Sequence, residues 1–102
     1  MDPQVLEEKL GADAIPIILD VRSHFEFSSG HIPGARHWPF WKALLFASKV
    51  IPDKLSEVVL YCEHGPRAQL VRSVLRGLGY ENIVCLRGHM HHWRREKRKL
   101  AH

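Results

Sequence analysis

Val58-Val59-Leu60-Tyr61-Cys62-Glu63-His64-Gly65-Pro66-Arg67-Ala68 changes character twice within a few residues. Its apolar, β-branched and aromatic start favours a buried strand, the Gly65-Pro66 pair forces a turn, and Ala68 to Leu75 carries apolar residues at helical spacing. Cys62 therefore falls at a strand-loop-helix corner. The first turn of a helix presents backbone N–H groups without intrahelical partners and the positive end of the helix dipole, so a thiolate or other anion placed there is stabilised.

Magnitudes rank the contributions. A free cysteine of pKa ~8.5 is about 3% thiolate at neutral pH, and lowering that pKa by ~2 units takes roughly 2.7 kcal/mol. The helix dipole supplies ~0.3 to 1 kcal/mol at an exposed end, whereas each charge-assisted hydrogen bond is worth roughly 1.5 to 3 kcal/mol. Amides aimed at the sulfur would thus do most of the activation. Gly65 lets the backbone turn inward, Pro66 suits the first turn of a helix because its missing N–H would be unused there, and Arg67 adds a permanent positive charge. Cys85, inside Ile83-Val84-Cys85-Leu86, reads instead as core packing.

On either side the chain alternates strand and helix patterns, with no internal repeat. Asp2-Pro3 reads as N-cap and first helical residue, with Val5, Leu6 and Leu10 on one face and Gly11 as the stop. Ile15 to Val21, interrupted only by Pro16, reads as a strand buried on both faces, as in a parallel sheet. Phe25 and Phe27 with the following Ser-Ser-Gly suggest a short helix and its end. Ala35 to Trp38 reads as a short strand, Phe40 to Ser48 as a helix, Val58 to Tyr61 as the central strand, Ala68 to Arg76 as the helix behind the cysteine, and Ile83 to Leu86 as the last long strand. In an open parallel sheet ligands bind at the carboxyl ends of the strands, which is where Cys62 falls.

The loop from Cys62 to Arg67, preceded by Ile18-Leu19-Asp20-Val21-Arg22 and by Glu26 with Ser29-Gly30-His31-Ile32-Pro33-Gly34-Ala35, resembles that of single-domain rhodaneses. The later stretch Leu78-Gly79-Tyr80 through Leu86-Arg87-Gly88 to Trp93 fits as well, so the resemblance runs in order from about residue 3 to residue 93. It implies an α/β fold, a rhodanese-like three-layer sandwich with a four- to five-stranded, mostly parallel sheet and helices on both faces. Family members usually carry a short strand before the first helix, for which Met1 leaves almost no room, so four strands are expected, or five if an edge piece forms elsewhere. The resemblance also assigns Cys62 as nucleophile and the N–H groups of Glu63, His64, Gly65, Arg67 and Ala68 as a persulfide cradle, with Pro66 shaping the loop. Asp20, Arg22 and Glu26 then support the loops at the top of the sheet, and an Arg22 to Glu26 ion pair is available if the two share a helical turn. The Arg67 side chain has two open roles, binding donor oxygens or bracing the loop.

Length and charge agree with a small enzyme. The 102 residues suit one domain, residues 1–102, with a basic C-terminal tail at 94–102. Two cysteines make no disulfide framework, and the lack of a signal peptide or long apolar segment places the expected setting in the reducing cytoplasm. The net charge of +4 is concentrated in Arg94, Arg95, Lys97, Arg98 and Lys99. No aromatic residue interleaves them beyond Trp93, so the tail reads as a solvated helix end rather than a nucleic-acid or membrane contact. Trp38, Phe40, Trp41 and Phe46 form an aromatic stretch, mostly core, whose remainder offers a dimer or partner face, though a monomer is expected.

The implied reaction is a double displacement in which Cys62 takes the outer sulfur of thiosulfate or another small-molecule donor and a persulfide then passes it to cyanide, a thiol or a protein acceptor. No cofactor is needed. Phosphatases of related loop chemistry place one more residue between cysteine and arginine than the Glu63 to Pro66 found here, and the tighter ring suits one sulfur atom better than a phosphoryl group. Glu63 beside the nucleophile disfavours doubly charged thiosulfate, offset by His64, Arg67 and His89, so slow but measurable transfer from that donor is expected. His89, His91 and His92 tempt a metal reading, but no carboxylate or cysteine accompanies them at ligand spacing and Met90 is a poor zinc ligand, so no metal is expected. By resemblance, His89 replaces the second glycine of a common Gly-Gly turn at the mouth of the site, which would alter access or acceptor preference. The alternative to an enzyme is a non-catalytic rhodanese-like binding or sensing module.

Overall fold

The computed structural model describes residues 1–12 and 15–102. Its elements run α1 (Pro3–Leu10), β1 (Ile17–Asp20), α2 (His24–Ser28), β2 (Arg36–His37), α3 (Phe40–Leu45), α4 (Ala47–Val50), β3 (Val58–Tyr61), α5 (Pro66–Gly77), β4 (Ile83–Cys85) and α6 (His89–Arg95). The four strands pair in the order β2-β1-β3-β4, all parallel, with Ile17 opposite Val58 and Val58 opposite Ile83.

The alternation of side chains along each strand sorts the core into two layers. Leu19 of β1 and Val58 and Leu60 of β3 face Ala68, Val71 and Leu75 of α5, together with Ala43, Ala47 and Ile51. Ile18, Val59 and Tyr61 face the other way, onto Leu6, Ile32, Met90 and Trp93. Every residue of β3 is buried, as expected for a central strand covered on both faces.

Most expected elements are present with shifted ends. The first strand begins at Ile17, because Pro16 has no N–H to donate and Ile15 is exposed. The helix read over Phe40 to Ser48 is two short helices separated at Phe46, whose φ of −131° and ψ of 38° leave the helical region. The strand read over Ala35 to Trp38 is reduced to Arg36–His37, although Trp38 N–H still donates to Asp20 O at 2.8 Å. Asp2 caps α1 and Gly11 ends it, as read. The helix behind the cysteine starts at Pro66, its first helical residue, and so begins inside the loop.

Candidate active site

Hydrogen bonds of the sheet hold the chain up to Cys62. Val21 N–H donates to Tyr61 O at 3.1 Å and Leu86 N–H to Leu60 O at 2.9 Å, one residue past the ends of β1 and β4. Beyond Tyr61 the backbone turns tightly, and Gly65 N–H donates to Cys62 Sγ at 3.0 Å. Gly65 adopts φ +128°, and a Cβ there would lie 3.0 Å from His89 Nε2, so only glycine fits without displacing that ring.

The N-terminal end of α6 fixes the other side of the loop. Met90 N–H donates to Cys62 O at 3.0 Å and His91 N–H to Glu63 O at 3.1 Å. In a trans peptide the C=O and the following N–H point opposite ways, so these bonds turn the N–H groups of Glu63 and His64 away from α6. Among the described residues, the N–H groups of Glu63, His64, Arg67 and Ala68 have no protein acceptor. A set of unpaired donors thus surrounds the one amide already bonded to the thiol.

Cys62 itself is only 1% exposed and packs in the layer that contains Leu19, Leu60 and Ala68. Its own N–H donates to His89 Nδ1 at 3.2 Å. Cys85 is half-buried rather than wholly in the core, and burial pushes its thiol pKa up, which keeps it protonated and unreactive.

Asp20 and Arg22 form a buried clamp. Arg22 Nε lies 3.0 Å from Asp20 Oδ1 and Nη2 lies 2.7 Å from Oδ2, while Nη2 also donates to Gly30 O at 2.8 Å and Nη1 reaches Glu63 Oε1 at 3.3 Å. Burial works against the guanidinium charge, but the Asp20 hydrogen bonds and charge outweigh it and the Arg22 pKa is raised. One side chain thereby ties the end of β1, the turn at Gly30 and the cysteine loop together. The Arg22 to Glu26 pair expected from spacing does not form. Arg22 precedes Ser23, the N-cap of α2, so it lies outside the helical turn that the spacing assumed. Glu26 instead binds Arg67 through both oxygens, at 2.8 and 3.0 Å. That bidentate pair commits the Arg67 side chain to bracing the loop.

Glu63 is held by Arg22 and also by Arg94, so two guanidiniums offset the carboxylate beside Cys62. Arg94, read from sequence as part of a solvated tail, was not recognisable as a site residue because its contact spans 31 positions of sequence. Glu63, His64 and His91 bring potential ligand atoms within 4.8 Å of one another, a different set from the His89, His91 and His92 run considered above. A cavity of about 240 Å³ opens beside the loop, lined by Arg22, Phe25, Glu26, Ser29, Gly30, Glu63 and Arg94. No helix among the described residues is long and apolar enough to cross a membrane.

Comparison with known proteins gives one consistent family. A family model described as Rhodanese-like domain matches residues 2–96. The adenylyltransferase and sulfurtransferase uba4 of Ogataea parapolymorpha is 30% identical over 95 residues, covering 93% of this chain but only 24% of that protein. The thiosulfate sulfurtransferase GlpE of Pseudomonas putida is 32% identical over 89 residues, covering 87% of this chain and 76% of GlpE. Among solved structures, the human single-domain sulfurtransferase TSTD1 superposes with a TM-score of 0.80 at 26% identity, covering 94% of this chain and 95% of that one.

Proposed function

The chain belongs to the rhodanese-like domain family, and from that membership we propose that it is a sulfurtransferase acting through a Cys62 persulfide. The thiolate attacks the outer sulfur of thiosulfate; the new Cys62 S–S bond forms as the donor S–S bond breaks, and sulfite leaves with the electron pair. A nucleophilic acceptor, cyanide or a thiolate on a small molecule or protein, then attacks the outer sulfur of the persulfide and restores the Cys62 thiolate. The chemistry needs no cofactor, and a reducing cytoplasm suits its thiol resting state.

The observation that carries this reading is the 3.0 Å bond from Gly65 N–H to Cys62 Sγ at the head of α5, beside the N–H groups of Glu63, His64, Arg67 and Ala68, which have no protein acceptor among the described residues. Arg22 and Arg94 offset Glu63 and so lessen its repulsion of a dianionic donor. Transfer from thiosulfate is expected to be slow but measurable, with another sulfane sulfur donor or a protein persulfide as the better substrate. Mass spectrometry after incubation with thiosulfate should show one added sulfur atom on the Cys62 peptide, removed by cyanide and absent from Cys62→Ser. No gain with any donor would leave the second reading, a non-catalytic binding module. The 1% exposure of Cys62 is the feature that favours that reading.

A further inference from the structure

His89 is the least ordinary residue near Cys62. It sits at φ +53° directly after Gly88 at φ +77°, a left-handed pair in which the histidine is the strained member. His89 as a residue is 6% exposed, and its ring approaches both Cys62 and Gly65, the two ends of the cysteine turn. Nδ1 takes the Cys62 N–H at 3.2 Å, and Nε2 lies 3.0 Å from the position a Cβ on Gly65 would occupy. Burial, followed by His64 and the N-terminal ammonium, lowers the His89 pKa, so near neutral pH the ring is uncharged and Nδ1 is available as the acceptor. A hydrogen bond at Nδ1 places the ring proton on Nε2.

We propose that His89 is a positioning and gating residue: Nδ1 fixes the turn that aims Gly65 N–H at Cys62, and the far edge of the ring covers the turn and excludes bulky reactants. The transfer measurements below rest on the sulfurtransferase reading; the alkylation measurements do not.

Asparagine separates the two roles. Its Oδ1 occupies the branch position of His Nδ1 and accepts a hydrogen bond, it tolerates the left-handed conformation, and it lacks the outer ring atoms. His89→Gly relieves the backbone but removes both functions. Alkylation of Cys62 by iodoacetamide and by a bulky maleimide, read at the Cys62 peptide to exclude Cys85, should show the bulky-to-small rate ratio rising about tenfold in both variants. Cyanide turnover should fall about tenfold in kcat for His89→Gly and recover to within about twofold for His89→Asn, while KM for a bulky thiol acceptor falls in both. An unchanged alkylation ratio in His89→Asn overturns the gating role. Wild-type kcat in His89→Gly, or failure of asparagine to restore a lost kcat in a folded variant, overturns the positioning role. Should wild-type protein transfer no sulfur at all, the sulfurtransferase reading fails, and the alkylation ratio still judges the gate.

Discussion

Glu26 shows how one side chain can tie local structure to the site. Its Oε1 accepts Ser23 N–H at 3.0 Å to complete the capping box of α2, and its two oxygens take the two terminal nitrogens of Arg67. The Arg67 hydrogen bonds, opposed by partial burial and aided by Ser23, pull the Glu26 carboxyl from 4.5 down to about 2. The folded state thus binds fewer protons than the unfolded chain in this range. The resulting stabilisation is complete above the ordinary carboxyl value and is lost as pH falls through about 2. Because both side chains are about a third exposed, screening reduces the contribution to about 1 kcal/mol or less. Glu26→Gln keeps an oxygen for Ser23 and loses the charge, so its urea midpoint should lie below wild type at neutral pH and converge with it near pH ~2. A gap of equal size at both pH values would refute the assignment. The partner of Arg67 was not legible in sequence, since Glu26 and Arg67 are 41 positions apart and meet only when the carboxyl ends of β1 and β3 align.

α6 depends on its surroundings more than on its own sequence. At seven residues it is too short to persist alone, and it is held by the carbonyls of Cys62 and Glu63 and by burial of Met90 and Trp93. Gly88 sets its entry. A Cβ at Gly88 would lie 2.4 Å from His92 Cβ, and the left-handed φ adds strain for any other residue. Gly88→Ala should therefore lower stability by at least about 2 kcal/mol. Gly77→Ala, where nothing lies within 4 Å and φ is not left-handed, should be neutral or slightly stabilising. Thermal midpoints of the pair make the test, and equal midpoints would sink it. Elements with strong local signals were readable: the β3 boundaries follow from an apolar run, and α5 follows from helical spacing although it starts at Pro66, two residues before the Ala68 read from sequence. The break at Phe46 was not, because no Gly or Pro marks it.

Closure of the molecule comes from its C-terminal end. A run of like charges carries no periodic signal, so sequence reading leaves residues 94–102 in solvent. The structure returns them to the body instead. Lys97 turns at φ +56°, Trp93 Nε1 donates to Lys99 O at 2.9 Å, and Ala101 exchanges backbone hydrogen bonds with His31 at 2.8 and 2.9 Å. Arg98 lies 5.7 Å from the Trp93 ring centre and reaches Glu7 of α1 at 3.0 Å, while Leu100 packs against the layer containing Trp93 and Tyr61. The positive charges remain largely at the surface, and backbone groups with one leucine make the contact, which is why charge pattern alone misplaces the segment. Trp93 is 0% exposed with this cover in place. Removing residues 97–102 should red-shift tryptophan emission and cost about 2–3 kcal/mol of stability through exposed indole and leucine surface. The alkylation rate of Cys62 should change little, because its loop is held by β3, α5 and the first turn of α6. An unaltered emission maximum and thermal midpoint would show that Trp93 is covered without the tail, and a large rise in Cys62 alkylation would show that the tail holds the loop as well.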